Sequence, residues 1–239
     1  MHPLRGPSLR ELLLCLDKMG SRDLASLAAH MKLAAGDLLI AARTLSSRGI
    51  TEEGYRRALP GITGQALCVA ITHLTKCDAR AEDLGALGLS GRPLARALEV
   101  MSELGVRAGA APSLLGLSGE KLLEALEAAH WGGYTAECLE EMDLRDEGLH
   151  RGLQLLQLLG VAAPQYQSDV RLGGSLLLEA LAVMKDIGAG GRTLRKLGVQ
   201  GMPLHNALDT MRRLGVTASV YSSAIGLSGD QVGSLSPKP

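Results

Sequence analysis

Six histidines and four cysteines are the side chains of this chain best suited to hold a metal or attack a substrate, and their spacing serves neither purpose. His2, His30, His73, His130, His150 and His205 form no HxxxH pair, and Cys15, Cys68, Cys77 and Cys138 form no CxxC pair. Zinc sites draw on close ligand pairs because one ion needs several donors converging on it. Cys15 and Cys68 fall on the apolar stripes of their helices and are read as buried free thiols. Carboxylates concentrate in Glu140-Glu141-Met142-Asp143-Leu144-Arg145-Asp146-Glu147, without the Asp-x-Asp-x-Asp-Gly order of a calcium loop. Gly188-Ala189-Gly190-Gly191 lacks the Lys-Ser/Thr that ends a phosphate loop. Catalysis needs convergent polar groups, and none is assembled by these motifs. The expectation is a chain that acts by binding, with no enzymatic activity, no cofactor and no metal.

The elements that would position any binding residue come from an internal repeat. An apolar residue recurs at Leu4, Leu33, Ile62, Leu89, Leu117, Leu144, Leu172, Val199 and Leu227, and five residues after each stands Leu9, Leu38, Leu67, Leu94, Leu122, Leu149, Leu177, Leu204 or Val232. Eleven residues further on a glycine closes the unit at positions 20, 49, 105, 133, 160, 188 and 215, with Asp78 the exception. In the eighth unit Leu204, Ala207, Leu208, Met211 and Leu214 share one face at helical spacing, which predicts a long amphipathic helix. Gly215 permits the left-handed stop, and Thr217 is placed to cap a short second helix from Ala218 to Ile225, with Val220, Tyr221 and Ala224 inward. Threonine returns at that cap in Thr51 and Thr135, and Ser228 is placed to cap the next long helix. Stacked units of this length bury a continuous core only against their neighbours. The predicted fold is all-α: a right-handed, α-solenoid-like array of about eight two-helix repeats of 27–29 residues with helix-turn-helix-like joints.

Composition agrees with helices packed through small contacts. The 239 residues are 46% apolar but only 2% aromatic, with no phenylalanine and one tryptophan, Trp131, whereas strands favour aromatic and β-branched side chains. Net charge is zero, which excludes a uniformly basic coat, yet its distribution is uneven. Residues 1–60 carry nine Lys/Arg against six Asp/Glu, residues 116–150 two against nine, and residues 151–239 nine against five. The expected organisation is 1–60 as N-terminal helix-turn-helix-like units, 61–141 as central repeats growing acidic, 142–233 as C-terminal repeats with basic faces, and 234–239 as a fraying tail. No run of 18 apolar residues and no secretory leader is visible, so a soluble, cytoplasmic protein without membrane contact is expected.

Each passage from short helix through the glycine turn into the long helix resembles the helix-turn-helix of DNA-binding proteins. Tyr221, Ile225, Gly226, Leu227 and Val232 carry the likeness, as do Leu84, Leu87, Gly88, Leu89 and Leu94, and Leu197, Gly198, Val199 and Leu204. Residues 8–50 resemble the three helices of a winged-helix core, but the chain after Ile50 continues into another helix where a wing would stand. The resemblance implies that a long helix offers its first turns to base edges, with nearby cations on phosphates. Arg92 and Arg96 in one copy, and Gln200, His205 and Asn206 in another, fit that role, with Arg192, Arg195 and Lys196 placed to meet phosphates and Arg212 and Arg213 as further nucleic-acid-binding residues. Ala34, Ala35 and Gly36, or Glu120 and Glu124, do not suit it. The expected partner is therefore DNA, in transcriptional or other DNA-linked regulation. The rival reading is an α-solenoid scaffold that binds protein without nucleic acid, its contact the acidic 137–147 surface of Glu137, Glu140, Glu141, Asp143, Asp146 and Glu147.

Overall fold

The structure, a computed structural model, describes residues 7–21, 23–221 and 231–232, and among these every regular element is a helix. Eight long helices alternate with short ones, as the repeat predicts. The long ones are α1 (Pro7–Lys18), α3 (Ala35–Ser47), α5 (Gly64–Lys76), α7 (Gly91–Leu104), α9 (Gly119–Gly132), α11 (Asp146–Leu158), α13 (Gly174–Asp186) and α15 (Met202–Arg213). Between them lie α2 (Leu24–Met31), α4 (Glu52–Ala58), α6 (Ala81–Ala86), α8 (Ala111–Leu115), α10 (Ala136–Glu141), α12 (Ala163–Gln165), which continues into a π-helical turn at Tyr166–Val170, and α14 (Gly191–Leu197); α16 (Ala218–Val220) comes after α15. The N-terminal wing position is occupied by α4, a helix. The chain divides into two compact units, Met1–Leu126 and Glu127–Pro239.

Within the first unit α1 packs on α3, α3 on α5 and α5 on α7; within the second, α11 packs on α13 and α13 on α15. The stripes that make these contacts are those of the repeat. Leu94, Ala97, Leu98 and Met101 of α7 are fully buried, and so are Leu204, Ala207 and Leu208 of α15. Alanine or glycine recurs in the middle of the stripe at Ala41, Ala70, Ala97, Gly152, Ala180 and Ala207, which lets neighbouring helices approach closely. All four tyrosines are buried in this core. Tyr55 Oη donates to Ile62 O at 3.1 Å and Tyr166 Oη to Leu172 O at 2.8 Å, so each pins its short helix to the next turn. Tyr134 Oη donates to Val161 O at 2.6 Å.

Backbone hydrogen bonds join one joint to the next. Gly119 N–H donates to Leu87 O at 2.8 Å, Gly174 to Met142 O and Gly201 to Val170 O at 2.9 Å. A second set runs from the starts of the short helices: Glu52 to Met19 O at 2.9 Å, Ala108 to Cys77 O and Ala218 to Ile187 O at the same length. Consecutive repeats are thereby held in register by main chain as well as by core. Thr51, Thr135 and Thr217 cap their short helices by accepting from Gly54, Cys138 and Val220 N–H.

The exception to the glycine rule has its own explanation. Asp78 adopts the same left-handed conformation, φ 52°, as the closing glycines. Its carboxylate lies 2.7 Å from Arg48 Nη1, and Arg48 occupies a register position held by Met19, Cys77, Leu104 and Ile187 in other repeats. Two departures from the repeat thus pair with each other. Arg48 also donates to Thr75 O and Ala79 O at 3.3 Å, closing the end of α5. The guanidinium holds the Asp78 carboxyl below its ordinary range through hydrogen bond and charge. Arg48→Met removes hydrogen bonds from a cation to two helix-end carbonyls and is expected to cost roughly 1–3 kcal/mol. In chemical denaturation Asp78→Gly should cost less, because glycine is at ease at this φ. The double variant should be more stable than the sum of the singles implies; simple additivity would show that the two residues do not act as a pair.

Four expectations are corrected. Cys68 lies beside the buried stripe of α5 and is half-buried, because Leu67, Ala70, Ile71 and Leu74 already define that stripe. Val220 and Leu214 face outward, as does Leu9, although the repeat places each on an inward slot. Leu4, the joint Gly226-Leu227-Ser228-Gly229, the end of the last short helix with Ala224 and Ile225, and the 234–239 tail lie outside the described residues.

Candidate nucleic-acid interface

The joint from α14 through Gly198 into α15 gathers the largest group of predicted contact residues. Gly198, φ 66°, ends α14 in the left-handed region, and Gly201, φ 63°, opens α15. On α14, Arg192, Arg195 and Lys196 are spaced i, i+3 and i+4 and are all exposed on one face. Gln200 and Asn206 are exposed at the start of α15, whereas His205 is half-buried with Nε2 at 3.4 Å from Glu179 Oε2 of α13. No Asp or Glu occurs between Ile187 and Leu208. Arg171, exposed and at φ 50°, joins this group: Gly201 N–H donates to Val170 O, which places Arg171 beside the start of α15. Sequence reasoning missed it. The signal was an arginine in the turn position that glycine holds at Gly61, Gly88, Gly116 and Gly198.

The other predicted cations are disposed differently. Arg212 Nη2 and Arg213 Nε lie 2.8 and 3.1 Å from the two carboxylate oxygens of Asp209, at the far end of α15 from Gln200. In the first unit Arg92 is exposed near the start of α7, while Arg96 lies 2.8 Å from Glu99. Three of the seven predicted cations are thus held by a carboxylate on their own helix. The corner between α2 and α3 has the angle of a helix-turn-helix, with the two helices bent by 100°. Together those two have the length and composition of a broken membrane span; among the described residues no single helix is long and apolar enough to cross a membrane.

The acidic residues occupy the corresponding joint two repeats earlier in the same unit. Glu137, Glu140 and Glu141 on α10 hold the register positions that Arg192, Arg195 and Lys196 hold on α14. Asp143 and Asp146, at φ 47° and 53°, hold those of Gly198 and Gly201, and Glu147 comes next. All six acidic side chains are exposed. Between the two joints the π-helical turn presents exposed Gln167 and Ser168, with the half-buried carboxylate of Asp169 held by Ser168 Oγ at 2.7 Å and Gln165 Nε2 at 3.2 Å. Gln167 Nε2 donates to Cys138 Sγ at 3.1 Å and Gln165 Nε2 to Gly191 O at 2.6 Å, so these three short elements are direct neighbours. The two ends of the row are opposite in charge, negative on α10 and positive on α14.

Among the described residues no three His, Cys, Asp or Glu side chains are grouped to hold a metal ion. All four cysteines are free. Burial raises the Cys77 thiol to about 11, and its Sγ donates to Leu98 O, an environment that suppresses nucleophilicity. Compared with models of known protein families and with curated proteins, the chain matches none of them.

Proposed function

We propose that this protein binds duplex DNA through the α14–α15 joint, as one element of a right-handed, solenoid-like array of helical repeats that regulates by binding. The observation that supports the reading is the coincidence, at one joint, of three exposed cations on α14 with exposed Gln200 and Asn206 on the first turns of α15, in a stretch without a carboxylate. Arg192, Arg195, Lys196 and the adjacent Arg171 meet phosphates. Gln200 and Asn206 present amides to base edges. The packing of successive long helices within each unit, and the hydrogen bonds between successive joints, support the array.

Fluorescence anisotropy with labelled duplex over a salt series tests the proposal. With three to four phosphates engaged, log affinity should fall with log salt at a slope of about −3. Arg192→Ala/Arg195→Ala/Lys196→Ala should weaken binding and flatten that slope towards zero. Arg212→Ala/Arg213→Ala, whose cations serve Asp209, should leave it nearly unchanged. No binding at low salt would sink the DNA reading. A second reading, a protein-binding scaffold, is favoured by one specific observation: the carboxylates of the α10–α11 joint occupy the same register as the α14 cations and repel a phosphate backbone. A basic protein surface suits that joint.

A further inference from the structure

The outer side of α1 has the make-up of a contact surface. Leu13 stands 51% exposed, although its equivalents Ala42 in α3, Ile71 in α5 and Leu98 in α7 are all buried. Leu14 is 56% exposed, and the same position holds Arg43, Thr72 and Glu99 in the next three long helices. An apolar side chain therefore stands where the repeat calls for a polar one.

Contacts between successive long helices show which way this side faces. Arg43 of α3 reaches back 2.7 Å to Glu11 of α1, Ser102 of α7 lies 2.7 Å from His73 of α5, and His205 of α15 meets Glu179 of α13. In α1 the residues at these three positions are Leu14, Asp17 and Arg10. The side carrying Arg10, Leu14 and Asp17 is thus the side each long helix turns to its predecessor, and α1 has no predecessor among the described residues. Arg10 and Asp17 are exposed, and among the described residues neither takes part in an ion pair.

We infer that this side of α1 is covered by the same helix of a second copy, packed antiparallel about a two-fold axis between Leu13 and Leu14. The sequence of the helix is self-complementary about that point. Arg10 and Asp17 lie equally far from it, about 5 Å along the helix at 1.5 Å per residue, so each arginine meets the aspartate of the other copy. Leu13 and Leu14 interdigitate at the centre, between the two Arg10–Asp17 pairs. The inter-repeat interface, which runs unbroken from α1 to α7, continues across the dyad into the second chain. One face of a twelve-residue helix buries less than the roughly 800 Å² per partner of a standard interface, so the dimer is weak and reversible.

Sedimentation equilibrium of the full chain up to roughly 100 µM tests this. Wild type should show a reversible dimer. Leu14→Glu should be monomeric with an unchanged circular dichroism spectrum, since the repeat tolerates glutamate at that position in α7. Arg10→Glu should raise the dimer dissociation constant on the order of ten-fold or more by setting like charges together twice, and Arg10→Glu/Asp17→Arg should restore it. A monomer at every concentration overturns the inference. So does a dimer indifferent to Leu14→Glu, or a charge swap that fails to rescue.

Discussion

Native protein taken to alkaline pH is expected to keep its tyrosine protons well above the ordinary tyrosine range and to lose them together with its fold. Burial raises the Tyr166 phenol to about 12 and the Tyr134 phenol further in the same direction. An unfolded chain ionises its tyrosines near about 10. Below that pH both states hold the proton, and the stabilisation from burying a neutral phenol is fully present. Above it the unfolded chain releases a proton that the folded chain retains, so stability falls as pH rises from about 10 through about 12. For Tyr166 the loss is on the order of 2–3 kcal/mol, at roughly 1.4 kcal/mol per pH unit of displacement, and Tyr134 adds to it. The Cys77 thiol acts in the same direction, beginning one pH unit lower. Phenolate absorbance and circular dichroism recorded together should show a single coincident transition. Tyr166→Phe should be about 1 kcal/mol less stable at neutral pH, having lost its bond to Leu172 O, yet have a shallower alkaline limb. Phenolate appearing near pH 10 in a protein that is still folded would contradict this account.

Gly88→Ala should destabilise far more than Gly105→Ala, although both glycines sit in the left-handed region at φ 66° and 75°. The backbone penalty for an L side chain there is about 1–2 kcal/mol and applies to both. Around Gly105 nothing lies within 4 Å of an added Cβ, so that penalty is the whole effect. At Gly88 the added Cβ would sit 3.2 Å from Gly119 N and 3.5 Å from Ser118 Cβ, against the next joint. Gly119 N–H is the donor to Leu87 O, so relieving the contact stretches a bond that joins successive repeats. The expected total is about 2–4 kcal/mol at Gly88 against about 1–2 at Gly105. Guanidinium unfolding of the two variants measures the difference. Equal effects would mean that the hydrogen bonds between joints contribute little.

Much of the fold was legible because the repeat writes each rule several times. The closing glycines predicted left-handed turns, and all seven adopt φ between 66° and 75°. The apolar slots predicted the buried stripes, and the threonines their caps. Predictions failed where a slot's partner was not inside the pattern: among the described residues no helix precedes α1 to cover Leu9, and Cys68 sits one residue off a stripe that four neighbours already fill. The contact residues were less legible. Arg96, Arg212 and Arg213 read as free cations in a list of charges, but each lies one helical turn from a carboxylate that claims it.

The amino-acid sequence by itself determined the helices, their alternation and their turns, since 3.6-residue periodicity and the glycine stereochemistry of a helix stop are local properties. Only the tertiary structure decided which departures from the repeat belong together. Arg48 and Asp78 stand thirty residues apart in the chain and 2.7 Å apart in space. Glu140 and Arg195 belong to joints distant in sequence that share one row of short helices through Gln167 and Gln165. Stacking sets residues about one repeat apart side by side, so the pairings between repeats depend on packing distance, which the linear order of side chains does not contain.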